Sequence, residues 1–481
     1  MRLFSAIFLS VLCASFIGCQ IDGPGRARRG GAAPLVPLTT EPQAPTQQMP
    51  EQPVVTNEPV SPLPSETALT PTGPVRRVLP RISGEPLIGV LLSSGPDVVL
   101  NFPRGGIISY QGERITIPIG ELRVRATGKG LTTSATGAKL LGERALIQVR
   151  QVAGAATFSA EVSPPFGKPQ MLQLSGQPEV VIDPASRKAQ LIERVGLEQY
   201  LRGVLPTEIS PTWPLEAIKA QAVVARSYTL DRYLVNHARA WQLHWHYTVD
   251  MAYGGVKPLN ARMAVAIDQT RGQLLVAHEL PIPALFHACS GGQTESARNF
   301  RPTMTGADNV TDMTDIMPSV VDPAGIAGAE ALGYAKTHLE WRVELPMTTV
   351  SSGLQKWSEN HPEEHLRIGQ VVAVRMVNRF SDSQRVATIL VRHLVNNRET
   401  DMEMSAATFR LAVGPGQIRS TNWSRCVTAS ARGGTLVIEG RGYGHGVGMS
   451  QVSAYQMAKT GSAAGDIMLT FYPGSKLVQW W

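Results

Sequence analysis

Cysteine is scarce in this sequence, and its positions limit what it can do. Only four cysteines occur among 481 residues, and two of them, Cys13 and Cys19, lie in the N-terminal leader. The body of the chain therefore retains Cys289 and Cys426. In an oxidising compartment these two thiols could pair, but two distant cysteines do not by themselves require a disulfide.

Long apolar runs and dense basic stripes are also missing. After the leader no segment offers 18 uninterrupted apolar residues, so no membrane span is expected there. The net charge of +7 is modest for this length, and aromatic and basic residues do not alternate. Nucleic acid is therefore an unexpected partner, whereas an anionic cell envelope suits the charge. A hydrophobic fraction of 43% is ample for a sizeable core.

The leader reads MRLFSAIFLSVLCASFIGCQ, with one arginine before an apolar run. The run is too short for a comfortable membrane span, so residues 1–19 are predicted to be a secretory signal. It ends at Gly18-Cys19, a small residue followed by cysteine, as at the cleavage point of a lipoprotein signal. Lipidation at Cys19 is therefore predicted. An ordinary signal peptide with an incidental cysteine is the alternative, because Phe16 and Ile17 depart from the lipoprotein pattern.

Residues 20–82 are rich in Pro, Thr, Gln, Gly and Ala, so a disordered, semi-extended linker is predicted there. Residues 83–481 are predicted to form an α+β domain without internal repeats. Short apolar runs such as PLIGVLL and DVVLNF, broken by Gly, Ser and Pro, predict a strand-rich part over 83–185. The remaining part, 186–481, carries the motifs.

The first motif is VLPTEI, followed by the clearest helical pattern in the chain. Glu208 is predicted to lie in a proline-flanked turn where the helix begins, and Pro214 suits the first helical turn. Lys219 and Arg226 are seven residues apart, so they share one helix face, roughly 10 Å apart along the axis. A carboxylate in a cleft with cationic neighbours is one interpretation; a solvated loop and ordinary surface charges are the other. A different face is small or apolar, and its members are Ile218, Ala222, Ala225 and Thr229.

The second motif, FHACSGGQT at residues 286–294, combines a tight turn with hydroxyl groups. Cys289 near His287 suggests a nucleophile, and His244 and His246 could extend the set to a metal site. Both signals are weak, because His-x-Cys is a poor zinc spacing. His244 and His246 fit an exposed strand equally well.

The third motif, GRGYGHGVGMSQ at residues 440–451, follows the predicted strand TLVIEG. It is not a dinucleotide fingerprint, because Val447 occupies the position of the third glycine. Dense glycine lets the backbone approach a ligand closely and places His445 and Gln451 where a helix begins, with Ser450 as N-cap and Gly461 as its stop. The alternative is a glycine-rich turn whose histidine packs locally.

Three ordered segments carry a family resemblance. EQYLRGVLPTEISPTWPLEAIKAQAVVARSYTL, CSGGQTESA and GRGYGHGVGMSQVSAYQMAKTG resemble the motifs of the stage II sporulation protein D family, which includes amidase enhancers. The resemblance covers roughly residues 85–481. It implies a lytic transglycosylase that cleaves peptidoglycan strands already stripped of their stem peptides, with Glu208 as the catalytic residue. It also implies an amidase partner, and no cofactor.

The sugar-binding candidates are Lys219, Arg226, Tyr228, Ser290, Gly291, Gly292, Thr294, Tyr443, His445 and Gln451. The resemblance matches Lys219 and Arg226 to the family's basic helix positions, whereas the glycine-rich backbone of the third motif predicts that His445 and Gln451 line the same groove as Glu208. Some family members hold zinc through Cys and His, but no second cysteine lies near Cys289, so no metal is predicted. The expected location is the periplasm or cell envelope, with the membrane reached only through a lipid anchor. A noncatalytic glycan-binding protein that enhances an amidase is the first alternative, and a cysteine hydrolase using Cys289 is the second.

Overall fold

The computed structural model describes residues 82–110, 113–135, 141–149, 156–163, 169–300, 312–361, 367–429 and 434–481. The predicted signal sequence, the lipidation site at Cys19 and almost all of the predicted linker lie outside these residues. Within them helices and strands are mixed along the chain, so the predicted α+β class is confirmed.

The N-terminal part consists of strands, and each apolar run predicted to be a strand there forms one. The strands are β1 (Leu87–Gly95), β2 (Asp97–Phe102), β3 (Gly106–Tyr110), β4 (Glu113–Ile117), β5 (Gly120–Thr127), β6 (Gly130–Thr133), β7 (Arg144–Gln148), β8 (Phe158–Val162), β9 (Gln170–Leu174), β10 (Gln177–Ile182) and β11 (Ala189–Gly196). In β2 every second side chain, at Val98, Leu100 and Phe102, is buried, as expected for a sheet with one face on the core.

The next part joins helices to short strands. Its elements are α1 (Leu197–Glu208), α2 (Leu215–Val235), β12 (Leu243–His244), α3 (Ala261–Gln269), β13 (Gln273–Ala277), β14 (Leu280–Pro281), β15 (Phe286–His287) and α4 (Ala297–Phe300). The described strands form a seven-stranded sheet in the order β12-β1-β11-β10-β7-β3-β4 and a five-stranded sheet in the order β6-β5-β2-β8-β9. Both sheets and α2 contribute to one large hydrophobic core.

The prediction that Glu208 lies in a turn is wrong, because it is the last residue of helix α1. Pro206 sits inside this helix, where it removes a backbone donor. Leu201, Val204 and Leu205 are buried in the core, and this packing offsets the cost of the proline. The small and apolar face predicted for α2 is buried as expected, but the helix is surrounded by protein on its other sides as well.

A second hydrophobic core lies in the region between the second and third motifs, which the sequence pattern did not resolve. Phe409, Trp423 and Ile438 are among its buried members. Before it come α5 (Pro323–Ala331) and a π-helical turn (Ala335–Leu339). The elements around this core are β16 (Glu340–Pro346), α6 (Met347–Asn360), β17 (Gln370–Arg379), β18 (Val386–Val395), β19 (Arg398–Ser405), α7 (Ala406–Val413), β20 (Trp423–Ala429) and β21 (Thr435–Arg441).

The C-terminal part returns to the first core. It contains β22 (Met449–Ser450), α8 (Gln451–Lys459), α9 (Ala464–Phe471) and β23 (Lys476–Gln479). Ser450 is the N-cap residue of α8, and Gly461, with φ of +101°, follows its end, as predicted. β22 pairs in parallel with β15, which places Met449 opposite Phe286. The second and third motifs are therefore neighbours.

The glycines of the third motif hold these two segments together. Gly442, Gly444, Gly446 and Gly448 all have positive φ, which L side chains rarely adopt. A Cβ would lie 2.9 Å from the Cys289 carbonyl oxygen at Gly442, 2.7 Å from His287 Cβ at Gly444 and 2.6 Å from Arg385 Cζ at Gly446. At Gly448 it would collide with the Leu285 carbonyl oxygen. The glycines thus permit close packing of these main chains against protein, whereas the sequence pattern predicted close approach of the backbone to a ligand.

Two further observations concern the described residues. Cys289 and Cys426 are free, so the disulfide that the sequence left open is not formed. A helix with the length and apolar character needed to cross a membrane does not occur in the part of the chain that the structure describes.

Substitution of Gly448 by alanine tests the role of close packing. We expect Gly448→Ala to lower the free energy of unfolding by about 3 kcal/mol or more, because strain at positive φ adds to a collision with Leu285. Gly461→Ala is the matched control: its φ is also positive, but nothing lies within 4 Å of its Cβ position. It should cost about 1–2 kcal/mol. Equal losses in urea denaturation would contradict the packing argument.

Candidate functional site

Glu208 ends helix α1 with its carboxyl group nearly enclosed by protein. Its exposed fraction is 3%. Oε1 accepts a hydrogen bond of 2.9 Å from the main-chain N–H of Ala252. The neighbouring Thr207 hydroxyl donates to the Ala252 carbonyl at 2.6 Å, which fixes the same loop against the end of α1. The loop thus presents one amide to the carboxyl group.

Burial raises the pKa of Glu208 to about 8, and the Ala252 N–H opposes this only in part. The helix end acts in the same direction as burial, because the C-terminus carries a partial negative charge that disfavours an adjacent carboxylate. Glu208 is therefore protonated at neutral pH. A carboxylic acid that keeps its proton near pH 7 meets the first requirement of a general acid.

Gln451 connects the third motif to Glu208. Its Nε2 donates to the main-chain carbonyl of Glu208 at 3.2 Å and lies 3.3 Å from Gln221 Oε1, on α2. The contact spans 243 residues of sequence. Nε2 of Gln221 is buried without a hydrogen-bond partner in the described part of the chain. Gln451 therefore holds the main chain of Glu208 and is itself buried.

Tyr228 belongs to a polar network beside Glu208. Its hydroxyl donates to Asp250 Oδ1 at 2.7 Å, and Asp250 Oδ2 accepts from the His244 N–H at 2.7 Å. Burial raises the pKa of Tyr200, and the charges of Asp250 and Glu208 add to this effect, so this tyrosine lies within electrostatic reach of both. Neither Asp250 nor Tyr200 was among the residues predicted from sequence: Asp250 lies outside the three motif segments, and Tyr200 lies near the start of the first of them without a polar pattern that singles it out.

His244 and His246 remain neutral at physiological pH. Burial lowers the pKa of each to about 4. Within the described ranges, no three His, Cys, Asp or Glu side chains are grouped closely enough to hold a metal ion.

The two basic candidates on α2 have different surroundings. Arg226 is fully buried and forms a bidentate ion pair with Glu198, at 3.0 Å from Nε and 2.8 Å from Nη2. The guanidinium of Arg226 thus lies in the core with its charge balanced by Glu198, and its assignment to sugar binding stays a prediction. Lys219 is partly exposed and pairs with Glu216 at 2.7 Å.

The second motif is mostly structural in its contacts. The Ser290 hydroxyl donates to Asp322 Oδ2 at 2.6 Å, and Ser453 donates to the same oxygen at 2.5 Å. Thr294 Oγ1 accepts from the Val320 N–H at 2.7 Å. Both candidates are buried. Each hydroxyl therefore already has a protein partner, and the assignment of Ser290 and Thr294 to sugar binding stays a prediction.

The glycines between these hydroxyls make the turn possible. Gly291 and Gly292 have φ of +75° and +104°. A Cβ on Gly291 would lie 2.7 Å from the Gly442 nitrogen, which again leaves no room for a side chain between the motifs. Gly292 donates its N–H to the Ser290 hydroxyl at 3.1 Å.

Cys289 lacks the properties of a nucleophile. It is buried, and burial raises the pKa of its thiol to about 12. A catalytic cysteine needs a depressed pKa and access to substrate. The neighbouring His287 is also buried, and its pKa is lowered well below the usual range by that burial. The pair is therefore a neutral thiol beside a neutral imidazole.

His445 uses both ring nitrogens in local contacts. Nε2 lies 2.8 Å from the Phe286 carbonyl oxygen, and Nδ1 accepts from the Val447 N–H at 3.0 Å. Both ring nitrogens of His445 therefore contact main-chain groups, of Phe286 and Val447. Tyr443 pairs with Cys289 through main-chain hydrogen bonds of 2.8 and 3.0 Å, and its ring packs against Arg419. The expectation that His445 locks the loop fits these contacts, but the ring edge also lines a pocket.

Comparison with known proteins finds similarity over the part of the chain that contains Glu208. A model of the family described as stage II sporulation protein (SpoIID) matches residues 185–276, which include α1, α2 and Glu208. These matched residues define the chain as an α+β protein that carries a SpoIID domain. Curated proteins named stage II sporulation protein D and amidase enhancer extend the similarity beyond that domain, and together with the family model they support the SpoIID family.

Three of these relatives show how low the sequence identity is. An uncharacterised protein of Brachyspira hyodysenteriae is 28% identical over 294 residues, or 60% of this chain and 68% of that protein. Stage II sporulation protein D of Bacillus subtilis is 25% identical, over 60% of this chain and 76% of its own length. The amidase enhancer of Bacillus subtilis is 26% identical over 58% of this chain, and the match spans only 40% of that protein.

The titration of Glu208 has a measurable effect on stability. Its pKa rises from 4.5 to about 8 on folding, so the folded protein keeps a proton that the unfolded chain loses. Stability therefore falls as pH rises from about 4.5 to about 8 and is constant above that range. Replacement by glutamine removes this penalty and keeps an acceptor for the Ala252 N–H.

We expect Glu208→Gln to gain stability relative to the wild type by about 3–5 kcal/mol between pH 5 and pH 9, as judged by denaturant unfolding at each pH. Comparison of the two proteins cancels the contribution of Glu193, whose pKa is also raised, to about 7, by burial. A stability difference that is independent of pH would show that Glu208 is ionised in the folded protein.

Proposed function

We propose that this protein is a peptidoglycan lytic transglycosylase that cleaves peptide-stripped glycan strands with Glu208 as general acid and then general base. The observation that carries the proposal is the buried carboxyl group of Glu208, protonated at neutral pH, at the end of a helix within the SpoIID domain. A proton donor for a glycosidic oxygen requires that combination of protonation and position.

The reaction needs one carboxyl group. Glu208 donates its proton to the oxygen that leaves C1 of the muramic acid residue, and the C1–O bond breaks. The 6-hydroxyl oxygen of the same sugar then bonds to C1, and its proton passes to the Glu208 carboxylate. The products are two shorter strands, one of which ends in a 1,6-anhydro sugar while the other begins with a free hydroxyl. No water is consumed, and the acid is regenerated. A second carboxylate, which glycoside hydrolases use for water or for a covalent intermediate, is not required.

The neighbours of Glu208 support these steps. The Ala252 N–H stabilises the carboxylate that forms after the first proton transfer. Gln451 holds the main chain of Glu208, and the hydrogen-bonded pair Tyr228 and Asp250 lies, like Glu208, within electrostatic reach of Tyr200. Lys219 and Tyr443 are the sugar-binding candidates that keep some exposed surface. We assign them, with Gly292, to the periphery of the glycan site.

The predicted leader and linker determine where the protein is proposed to act. A signal peptide over residues 1–19, lipidation at Cys19 and a linker over 20–82 would hold the SpoIID domain in the periplasm or cell envelope, away from the membrane surface. An amidase that removes stem peptides is the expected partner, in keeping with the similarity to a protein named amidase enhancer.

A noncatalytic role is the second candidate. The similarity to the amidase enhancer favours a glycan-binding protein that recruits or stimulates an amidase without cleaving the strand. In that case Glu208 would be a structural carboxyl group, and replacement by glutamine would leave the function intact. The two candidates therefore differ in the products and in the effect of one substitution.

We expect the full chain to convert stripped strands to fragments with 1,6-anhydro ends, measured by mass spectrometry, and to act poorly on intact cross-linked sacculi. Glu208→Gln should bind the same strands but lose turnover by roughly 100- to 10,000-fold, because glutamine has no proton to donate.

The matched control is Glu193→Gln, at a second buried carboxyl group that accepts main-chain N–H groups of Ser175 and Gly176. It should retain turnover. An active Glu208→Gln protein would refute the catalytic assignment. Products with ordinary reducing ends would indicate a hydrolase, and binding without any product would favour the amidase enhancer.

The free cysteine offers a separate test. We expect Cys289→Ser to retain its turnover of stripped strands, because a buried thiol with a pKa of about 12 cannot supply a thiolate at neutral pH. Melting temperature should be measured beside the rate. Loss of activity in a protein that still folds and binds glycan would support the cysteine hydrolase instead.

A further inference from the structure

A pocket of about 330 Å³ lies between the two hydrophobic cores. Its walls are mostly apolar and include Phe300, Phe380, Val386 and Leu411. His445 of the third motif lines the same pocket. The volume lies within the range of small-ligand sites.

Arg410, on α7, lines this pocket and is buried to an unusual degree for its charge. Its exposed fraction is 4%. Its Nε and Nη2 atoms are buried without a hydrogen-bond partner in the described residues. Burial lowers the pKa of Arg410 to about 10, which leaves it charged at neutral pH. The two partnerless nitrogens form the edge of the guanidinium that binds a carboxylate through two parallel hydrogen bonds.

The nearest charges do not balance Arg410. Arg385 is a second buried arginine, and its charge lies close enough to lower the pKa of Arg410 further. Glu295 lines the pocket but already accepts hydrogen bonds from Ser383, Asn299 and the Ser296 N–H, at 2.9, 2.8 and 2.8 Å. Its charge acts on Arg385. Together the two buried arginines and Glu295 leave one positive charge in excess around the pocket, although Arg385 itself does not line it.

An unpaired buried cation destabilises a folded protein, so it needs a counter-charge from somewhere. A bound anion supplies one, and the forked guanidinium selects a planar carboxylate. The apolar walls further require that the carboxylate be attached to an apolar or sugar body rather than arrive as a simple ion.

We propose that Arg410 binds the lactyl carboxylate of muramic acid in the peptide-stripped strand. This inference rests on the proposed function and assigns a residue to its substrate preference. A stem peptide is joined to the lactyl group by an amide bond, so its removal by an amidase converts a neutral amide to a carboxylate. Arg410 distinguishes the two states, and the apolar walls accept the lactyl methyl group and the face of the sugar.

The third motif connects this pocket to Glu208. His445 lines the pocket, and Gln451, six residues later, donates to the main chain of Glu208. A stripped strand carries a lactyl carboxylate on every second sugar. A strand bound at Glu208 therefore offers such a group on either side of the bond to be cleaved.

Affinity measurements separate this inference from catalysis. Full-length Glu208→Gln protein is titrated calorimetrically with stripped GlcNAc–MurNAc oligomers and with chito-oligosaccharides of equal length, which have the same β-1,4 backbone but no lactyl group. Introduction of Arg410→Met should weaken the binding of stripped oligomers by about 10- to 100-fold and leave chito-oligosaccharide binding unchanged. Arg410→Lys keeps the charge but not the forked guanidinium, so its affinity for stripped oligomers should lie between those of the parent and of Arg410→Met.

The control is Arg392→Met, which removes an exposed charge on β18 that pairs with Asp401 on the neighbouring strand β19. It should change neither affinity. Melting temperature provides the structural readout: Arg410→Met should melt no lower than the parent, because it removes an unpaired buried cation. A large drop in melting temperature for both Arg410 variants, with equal loss of both ligands, would overturn the inference in favour of a structural role.

Two other results would overturn the inference. Equal affinity of the parent for the two oligomers would show that the carboxylate is not recognised. Free stem peptide is titrated as a third ligand. If Arg410→Met lost binding to this peptide but bound stripped oligomers as tightly as the parent, Arg410 would be assigned to a peptide carboxylate instead. Failure of the proposed function has a different signature: wild-type protein would form no anhydro products, while the affinities could still depend on Arg410.

Discussion

The parallel pairing of β15 with β22 is the contact on which the rest of the arrangement depends. It joins segments about 160 residues apart, and the glycines of the third motif allow their main chains to approach closely. From this pairing α8 begins, which carries Gln451 to the main chain of Glu208. The same glycine segment places His445 at the boundary between the two cores. Disruption of the pairing would therefore affect the Glu208 region and the Arg410 pocket together.

Burial of charge is the second constraint, and it acts differently at each site. Arg226 is stabilised by two hydrogen bonds to Glu198, so its charge is balanced within the fold. Glu208 has one amide donor, and burial therefore favours its neutral form. Arg410 cannot become neutral at physiological pH, because its pKa remains about 10. The first arrangement is balanced within the fold, whereas Glu208 keeps its proton and Arg410 keeps a charge whose Nε and Nη2 have no hydrogen-bond partner in the described residues.

Each of the two cores supports a different candidate residue, Glu208 or Arg410. The larger core fixes α1 and α2, and with them Glu208, on a scaffold of strands. The second core carries α7 and Arg410. A ligand that bridges Glu208 and the Arg410 pocket would contact both parts, so its binding would also stabilise their association.

Local pattern was sufficient for part of this structure. Alternating apolar residues with Gly and Pro breaks predicted the N-terminal strands, because strand formation there depends on period and turn chemistry. Ser450 and Gly461 similarly predicted the limits of α8. Motif chemistry also singled out Glu208 and Gln451, which the structure brings into contact.

Burial and long-range contact could not be read from local pattern. Arg226 was expected to face a ligand because its helical position shares a face with Lys219, but the residues that bury it come from other parts of the chain. From sequence the hydroxyls of Ser290 and Thr294 were predicted to bind a sugar. Their hydrogen-bond partners, Asp322 and Val320, are brought to them only by the fold. Arg410 lies in no motif, and its unpaired edge exists because α7 packs at the boundary of two cores. Composition and spacing thus determined the elements and the residues capable of chemistry, whereas tertiary packing decided which of them are buried, balanced or left for a ligand, because charge and solvation depend on neighbours distant in sequence.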